Sequence, residues 1–189
     1  KIFAEGGSQP GAMPCIACHG ADGAGMAAAG FPRLAGLPAT YVRKQLEDFK
    51  SGSRTNPVMQ PLANALTDAE IEAVSQVLAA MPAPVPQVVY RSEMPINAAQ
   101  KLAQQGAWER QIPACASCHG PAGTGIGDAF PPLAAQPAAN LEAQLTAWQS
   151  GTRHNDPNDL MGHIAKSLTA EEVQRVAQYF ASLKLEAKP

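Results

Sequence analysis

The sequence predicts an all-α protein built from two tandem copies of one small helical domain. Two observations support this fold class. Segments with helical periodicity recur about 100 residues apart, and no stretch between turn signals alternates apolar and polar residues as a half-buried strand does. With 46% hydrophobic and 16% charged residues, the 189-residue chain has the composition of an ordinary globular protein. We therefore expect two compact helical units.

Three pairs of matching segments show the duplication. They are "CIACHG" from Cys15 and "CASCHG" from Cys115, "FPRLAG" from Phe31 and "FPPLAA" from Phe130, and "KQLEDFKSGSRTN" from Lys44 and "AQLTAWQSGTRHN" from Ala143. The first pair aligns at a shift of 100 and the other two at 99; beyond them the second copy holds three additional residues and the shift becomes 102. We predict a first domain at 1–81, a stiff Pro-rich linker at 82–94 and a second domain at 95–189.

Caps predict where the helices begin and end. Asn97, helped by Gln100 at the third helical position, is expected to begin the helix before the second cysteine motif, and Gly106 to end it. The helices that follow the "FP" loops should stop at Gly52 and Gly151. The last helix of each copy should begin at a capping box. These boxes are Thr67 with Glu70, and Thr169 with Glu172.

Charge and hydropathy exclude several classes of partner. A net charge of −2 gives no basic surface for nucleic acid, and Gly or Pro interrupts every apolar run well before the roughly 20 residues of a membrane-spanning helix. Peripheral association with a membrane is compatible with this composition. Because the chain starts at Lys1 without an initiator Met or a leader, we expect that an export signal and a few helix residues precede it in the natural protein.

The Cys-x-x-Cys-His motif points to covalent haem. Zinc would need a second Cys or His pair at finger-like spacing, which neither copy has. A redox dithiol of the thioredoxin type belongs near a βαβ pattern, and a plain disulfide leaves the histidine unexplained. A doubled Cys-x-x-Cys-His is the attachment signature of c-type haem. The sequence therefore predicts two haem c groups.

The spacing suits this chemistry. Two thiols one helical turn apart can add to the two porphyrin vinyl groups, and the next residue brings an imidazole to the iron. The predicted thioether anchors are Cys15, Cys18, Cys115 and Cys118, and the predicted proximal ligands are His19 and His119. A buried haem would also supply apolar area that these small, aromatic-poor domains lack.

The sixth ligand separates an electron carrier from an enzyme. The candidates are Met13, Met26, Met59, Met81, Met161, His154 and His163. Met59 and Met161 are the only methionine pair that the two copies share, and both lie between helical segments, so we predict these two as axial ligands. His163 falls on Pro61 of the first copy and is the weaker alternative at the second site. His154 falls on Thr55 and fails the same comparison.

Methionine ligation predicts electron transfer. A thioether favours ferrous iron and so raises the reduction potential relative to two imidazoles. With both axial positions filled, and with no obvious acid–base group beside them, the iron would exchange electrons without binding peroxide or oxygen. No catalytic residues are predicted.

The chain resembles the dihaem cytochrome c4 family, which consists of two class I cytochrome c domains in tandem. The resemblance lies in the CxxCH motifs, the "FPxLAG"-like loops, the "KQLxxFxxGxRxN"-like helix ends, the loop methionines and the closing "LTxxE" helices. It implies two haem edges that face each other across a domain interface. It further implies site residues. The carbonyls of Pro32 and Pro131 would orient the imidazoles, and Leu34 and Leu133 would pack on the haems. Arg54 and Arg153 would pair with haem propionates. The alternative for these two arginines is that they are solvated cations at helix ends.

In function, the resemblance implies an electron carrier of the bacterial periplasm. Electrons would pass from a donor cytochrome or dehydrogenase to an acceptor such as a membrane terminal oxidase, through weak docking at haem edges with apolar rims. Two alternatives stay open. One is a dihaem enzyme of the peroxidase or thiosulfate dehydrogenase type, and the other is a cytochrome subunit of a larger dehydrogenase such as flavocytochrome sulfide dehydrogenase.

Overall fold

The computed structural model describes residues 1–83, 85–86, 97–183 and 185–186. The first copy contains the helices α1 (Ile2–Glu5), α2 (Ile16–His19), α3 (Ala39–Ser51), α4 (Met59–Asn64) and α5 (Asp68–Ala80). The second copy contains α6 (Ala98–Gln105), α7 (Cys115–His119), α8 (Ala138–Ser150), α9 (Leu160–Lys166) and α10 (Ala170–Ser182). The prediction of a helical fold is confirmed.

Two short strands accompany the helices. Strand β1 (Val85–Pro86) pairs antiparallel with β2 (Leu185–Glu186). A strand of two residues is too short to show the alternation of apolar and polar residues by which strands are predicted from sequence. Most of the predicted linker, residues 84 and 87–94, lies outside the described residues.

The predicted helix caps are present. In α5, the Thr67 hydroxyl accepts a hydrogen bond from the Glu70 backbone N at 3.3 Å, and the Glu70 carboxylate accepts one from the Thr67 backbone N at 2.9 Å. Thr169 and Glu172 form the same capping box at the start of α10. The Asn97 side chain caps α6, and helices α3 and α8 end at left-handed glycines. Local sequence therefore fixes these boundaries.

Each copy buries its own hydrophobic core. In the first copy, α3, α4 and α5 enclose one cluster that includes Phe49, Ile71 and Leu78. In the second, the buried side chains form two clusters, one around Ile112 and Val176 and the other around Leu141 and Phe180. The cysteine motifs and the "FP" loops border these cores. Cys15 and Leu34 pack on the first-copy cluster, and Cys115 and Leu133 pack on the second-copy cluster around Leu141 and Phe180. No helix in the described ranges combines the length and apolar character needed to cross a lipid bilayer.

The two copies meet through an antiparallel contact and a cluster of arginine and glutamine side chains. Thr55 N donates to Thr152 O at 2.8 Å, and His154 N donates to Ser53 O at 2.9 Å. Beside this contact lies a group that we call the Arg–Gln cluster. It consists of Gln45 and Arg54 from the first copy and Gln144 and Arg153 from the second.

A second contact joins the two "FP" loops. Arg33 N donates to Gln136 Oε1 at 3.0 Å, and Gln136 Nε2 donates back to Arg33 O at 3.0 Å. The Arg33 guanidinium also donates to Ala134 O across the interface, at 3.4 Å. The loops that carry Pro32 and Pro131 are therefore held against each other.

Candidate haem sites

The cysteines of each motif are placed for covalent attachment. Within each pair, the two thiols lie about one helical turn apart along α2 or α7, and all four are free and partly exposed. Burial raises the pKa of the Cys15 thiol, and burial raises that of Cys115 to about 11. Because exchange with a disulfide requires a thiolate, these two thiols are poorly suited to dithiol redox chemistry.

Each motif histidine is held by a proline carbonyl. His19 Nδ1 lies 3.0 Å from Pro32 O, and His119 Nδ1 lies 2.8 Å from Pro131 O. Both imidazoles are buried, and burial lowers the pKa of each, with the carbonyl contact acting in the opposite direction. A neutral ring that donates its Nδ1–H to a carbonyl keeps the Nε2 lone pair for a metal. These are the contacts that the resemblance implied.

Glycine turns bring the proline back to the histidine. Gly25 N donates to His19 O at 2.8 Å, with Gly25 at φ +82°. A Cβ at this position would lie 2.6 Å from Phe31 O, next to Pro32. The second copy repeats the turn, since Gly125 N donates to His119 O at 2.8 Å. Only glycine allows the chain to pass this closely.

The two predicted methionine ligands stand at equivalent places. Met59 is the first residue of α4, and Met161 is the second residue of α9; both are partly buried. The backbone N of Met59 donates to Asn56 Oδ1 at 2.9 Å, and that of Met161 donates to Asp156 Oδ2 at 2.6 Å. In both copies a short side chain therefore fixes the methionine at a helix start.

The other methionines differ from this pair. Met13 and Met26 are 62% and 42% exposed, and Met81 packs against the first-copy core. A Cβ on Gly23 would lie 3.1 Å from the Met81 sulfur, so Met81 also contacts the loop after the first motif. These positions suit solvent-facing and core-filling roles, as methionine's flexible side chain allows.

Neither alternative histidine shares the position of Met161. His163 is exposed and follows Met161 by two residues in α9, a rotation of roughly 200° around the helix axis. His154 is also exposed and lies in the antiparallel contact between the copies. The structure therefore directs Met161 and His163 to different sides of α9.

The arginines predicted near the propionates lie in the Arg–Gln cluster. Arg153 is 5% exposed, so its description as a solvated cation is wrong. Arg54 is partly buried, and burial, with the nearby Arg153 charge, lowers its pKa to about 9. The two guanidinium groups donate to glutamine oxygens at 2.7 to 3.1 Å. Pairing with propionates stays a prediction.

Arg33 is a buried cation that sequence comparison did not single out. It is 4% exposed, and burial lowers its pKa. Its Nε is a buried side-chain nitrogen without a hydrogen-bond partner within the described part of the chain. The second copy has Pro132 at the equivalent position, so Arg33 is not among the residues that the two copies share. Only the packing of one copy on the other reveals it.

The side chains fit haem c. In the described ranges, no group of three or more His, Cys, Asp or Glu side chains is arranged to hold a metal ion. The paired thiols, the imidazole held at Nδ1 and the fixed methionine are the donors that haem c takes. A carboxylate, such as a haem propionate, suits the chemistry of the unpartnered Arg33 Nε.

Comparison with known families defines the class of protein. Residues 4–81 and 97–184 each match the cytochrome c family, so the chain is a c-type cytochrome with two haem-binding copies. More narrowly, it belongs to the dihaem cytochrome c4 family. Each Cys-x-x-Cys-His motif binds one covalent haem c, and the chain functions in electron transfer with redox partners.

Three similar proteins illustrate the relationship. The thiosulfate dehydrogenase electron acceptor of Stutzerimonas stutzeri (strain A1501) is 60% identical, over 97% of this chain and 85% of its own. A thiosulfate dehydrogenase structure from Marichromatium purpuratum matches with a TM-score of 0.83 and 46% identity, over 92% of this chain but only 37% of that longer chain. Reduced cytochrome c4 from Pseudomonas stutzeri matches with a TM-score of 0.78 and 32% identity, over 90% and 93%.

Proposed function

We propose that this chain accepts electrons from a thiosulfate-oxidising dehydrogenase and passes them, through two His/Met-ligated haems, to a further carrier or a terminal oxidase in a bacterial periplasm. The observation that carries the choice of donor is the 60% identity, over 97% of the chain, to a thiosulfate dehydrogenase electron acceptor. The matched length is long enough to include parts of both haem-binding copies.

The residues have separate roles in this proposal. Cys15, Cys18 and their equivalents anchor the haems, and His19 and His119 would bind the iron. Met59 and Met161 would be the further ligands, and would thereby keep peroxide and oxygen from it. When bound, haem c supplies reversible one-electron exchange at its iron. The protein supplies the fixed ligands and the shielded surroundings.

The contact between the "FP" loops supports transfer between the two sites. Pro32 O holds His19, and the next residue, Arg33, is hydrogen-bonded to Gln136 and Ala134 of the second copy. Pro131, which holds His119, lies three residues before Ala134. The loops that orient the two imidazoles are thus bonded to each other, and this arrangement favours a relay over two independent carriers.

Exposed apolar side chains near the motifs supply candidate docking contacts. Met13 and Met26 flank the first motif, and Ile126 follows the second at 48% exposure. Trp108 precedes the second motif and is 67% exposed. Together with the low net charge, these side chains favour brief, weakly charged encounters with partners.

Rapid mixing with a purified thiosulfate dehydrogenase tests the proposal. With thiosulfate present, the reduced haem c absorption should appear and account for both haems. Without the dehydrogenase, thiosulfate should reduce neither haem within the same time. Failure of the enzyme to reduce a chain that dithionite reduces fully would overturn the choice of donor.

The same experiment separates the enzyme alternative. Similarity to part of a thiosulfate dehydrogenase chain is the observation that favours it. If the isolated chain is reduced by thiosulfate alone, and one haem lacks the red absorption band of methionine-bound ferric haem, the chain is itself catalytic. If both haems show the band and thiosulfate alone has no effect, the chain is a carrier.

A further inference from the structure

Three large apolar side chains of the second copy are exposed beside residues predicted to hold its haem. Trp108 lies in the turn before the second cysteine motif and is 67% exposed. Ile126 follows the glycine turn that bonds to the motif histidine and is 48% exposed. Leu160 directly precedes Met161 and is 42% exposed. We call Trp108, Ile126 and Leu160 the second-copy apolar rim.

The turn that carries Trp108 is ordered in spite of backbone strain. Gln111 ends the turn with a left-handed φ of 59°, at a position where the first copy has Gly11. A non-glycine residue persists in this conformation only when its surroundings hold it. Arg110 supplies that support, because its Nη1 donates to Glu172 Oε2 at 3.0 Å and to Ser167 O at 3.4 Å. The turn therefore holds an exposed indole at a fixed place beside the second haem site.

Each residue of the second-copy apolar rim has an exposed acidic residue within two positions in the chain. These acids are Glu109, Asp128 and Asp159. Asp159 lies 3.4 Å from Lys166, but both side chains are more than half exposed, and such surface pairs are weak. Although the whole chain carries a net charge of only −2, this face combines apolar contacts with carboxylates.

The first copy keeps the apolar positions without the acids. Met26 and Val58 are the equivalents of Ile126 and Leu160, and they are 42% and 49% exposed. Ser8 stands where the second copy has its exposed tryptophan. The residues that correspond to the three acids are uncharged, and they are Gln9, one of Ala27–Ala29, and Pro57. The two copies therefore offer different faces to a partner, an acidic one with an indole in the second and a neutral one in the first.

We propose that the second-copy apolar rim and its acids form the docking surface for the electron-donating dehydrogenase, with Trp108 as the central contact. This inference rests on the proposed function, which supplies the donor. Thiosulfate is a dianion, so an enzyme that collects it benefits from positive potential around its site. Basic groups there complement the carboxylates of Glu109, Asp128 and Asp159. Tryptophan is also among the residues that contribute most to binding at protein interfaces.

Rapid mixing of the haem-loaded protein with purified thiosulfate dehydrogenase and thiosulfate tests the indole. Trp108→Ser introduces the first-copy residue and should lower the second-order rate of haem reduction by at least about tenfold. Reduction by dithionite and both midpoint potentials should stay unchanged, because the exposed indole contributes little to the core. Val77→Ser removes an exposed apolar side chain from α5 and should keep the original rate. An unchanged rate in Trp108→Ser would overturn the inference, as would a slower reaction in Met13→Ser alone.

Salt tests the acids independently. Reduction by the dehydrogenase should slow as the salt concentration rises, because screening weakens the attraction between exposed charges. Glu109→Gln with Asp128→Ala should slow the reaction about threefold at low salt and flatten its salt dependence. Glu5→Gln with Glu47→Gln changes the net charge equally on the first copy and should keep the original salt dependence. Equal effects of the two double variants, or the reverse order, would overturn the assignment to the second copy.

The unsubstituted protein separates this inference from the proposed function. If the dehydrogenase does not reduce it, the choice of donor fails before any variant is made. If the dehydrogenase reduces it, and reduces Trp108→Ser equally fast, the donor is retained and only the docking surface is wrong.

Discussion

Arg54 and Arg153 form an isolated antiparallel bridge between the two copies, and each guanidinium donates to the side-chain oxygens of both Gln45 and Gln144. Each guanidinium also stacks on an aromatic ring of its own copy. The distance from Cζ to the ring centroid is 4.6 Å for Arg54 over Phe49 and 3.8 Å for Arg153 over Trp148. Two like charges are thus held together by neutral amides and aromatic faces.

Removal of one amide from this cluster should loosen the interface. Gln45→Leu keeps the side-chain volume but takes away the oxygen shared by Arg54, Arg153 and Asn155. Because it leaves buried guanidinium groups without that acceptor, we expect it to lower the free energy of unfolding by about 3 kcal/mol. Urea unfolding followed by haem absorption measures this. The exposed Arg175→Ala should change it by less than about 0.5 kcal/mol; equal effects would contradict the prediction.

Replacement of the predicted ligand of the first haem should change one potential. Met59→His should lower the first-haem midpoint by on the order of 0.2 V, a fraction of the roughly 0.8 V that axial ligation spans. It should also remove that haem's methionine band. Met81→Leu, a change of similar volume in the core, should leave both midpoints and both bands in place. A Met59 variant with an unaltered spectrum would exclude this residue as the ligand.

Crowding at the glycine turn should destabilise the second haem site. Gly125 lies at φ +83°, and a Cβ there would be 2.8 Å from Phe130 O. We expect Gly125→Ala to cost about 3 kcal/mol, from left-handed strain and overpacking. Gly127 also has positive φ, +54°, but a Cβ there would meet nothing within 4 Å, so Gly127→Ala should cost only about 1 kcal/mol. Thermal unfolding of both variants compares them, and a reversed order would contradict the turn argument.

Acid should weaken the first-copy capping box through Glu70. Hydrogen bonds from the Thr67 and Ser8 backbone lower the Glu70 pKa from 4.5 to about 2. A depressed folded-state pKa adds stability that is present above the unfolded value and is lost as the pH falls towards the folded value. Glu70→Gln should therefore reduce stability at neutral pH and flatten its dependence between about pH 5 and 2. Urea midpoints across this range measure it, with the exposed Glu5→Gln as the control that should retain the wild-type slope.

Local chemistry made much of the fold predictable. Thr67, Thr169 and Asn97 are followed by the residues that their caps require, so helix starts could be assigned from a few positions. The doubled Cys-x-x-Cys-His fixed the cofactor class for a similar reason. In each case the relevant groups lie within four residues of one another in the chain.

Contacts between segments that are distant in the chain were harder to predict from the sequence. Arg153 is buried because α3 of the first copy supplies its partner Gln45, 108 positions away. Arg33 and Asp156 have no identical counterpart in the other copy, so a comparison of the two copies could not identify either residue. The division into domains at 1–81 and 95–189, and ligation by Met59 and Met161, stay predictions.

The Arg–Gln cluster has an evolutionary consequence. Its four members occupy two equivalent pairs of positions, so one copy already carries every group needed to close the cluster against another copy of itself. Such self-complementarity is typical of two-fold homodimers. A single-domain ancestor with this glutamine and arginine would have been equipped to dimerise by this surface, and gene duplication would then have made a reversible encounter between separate molecules permanent.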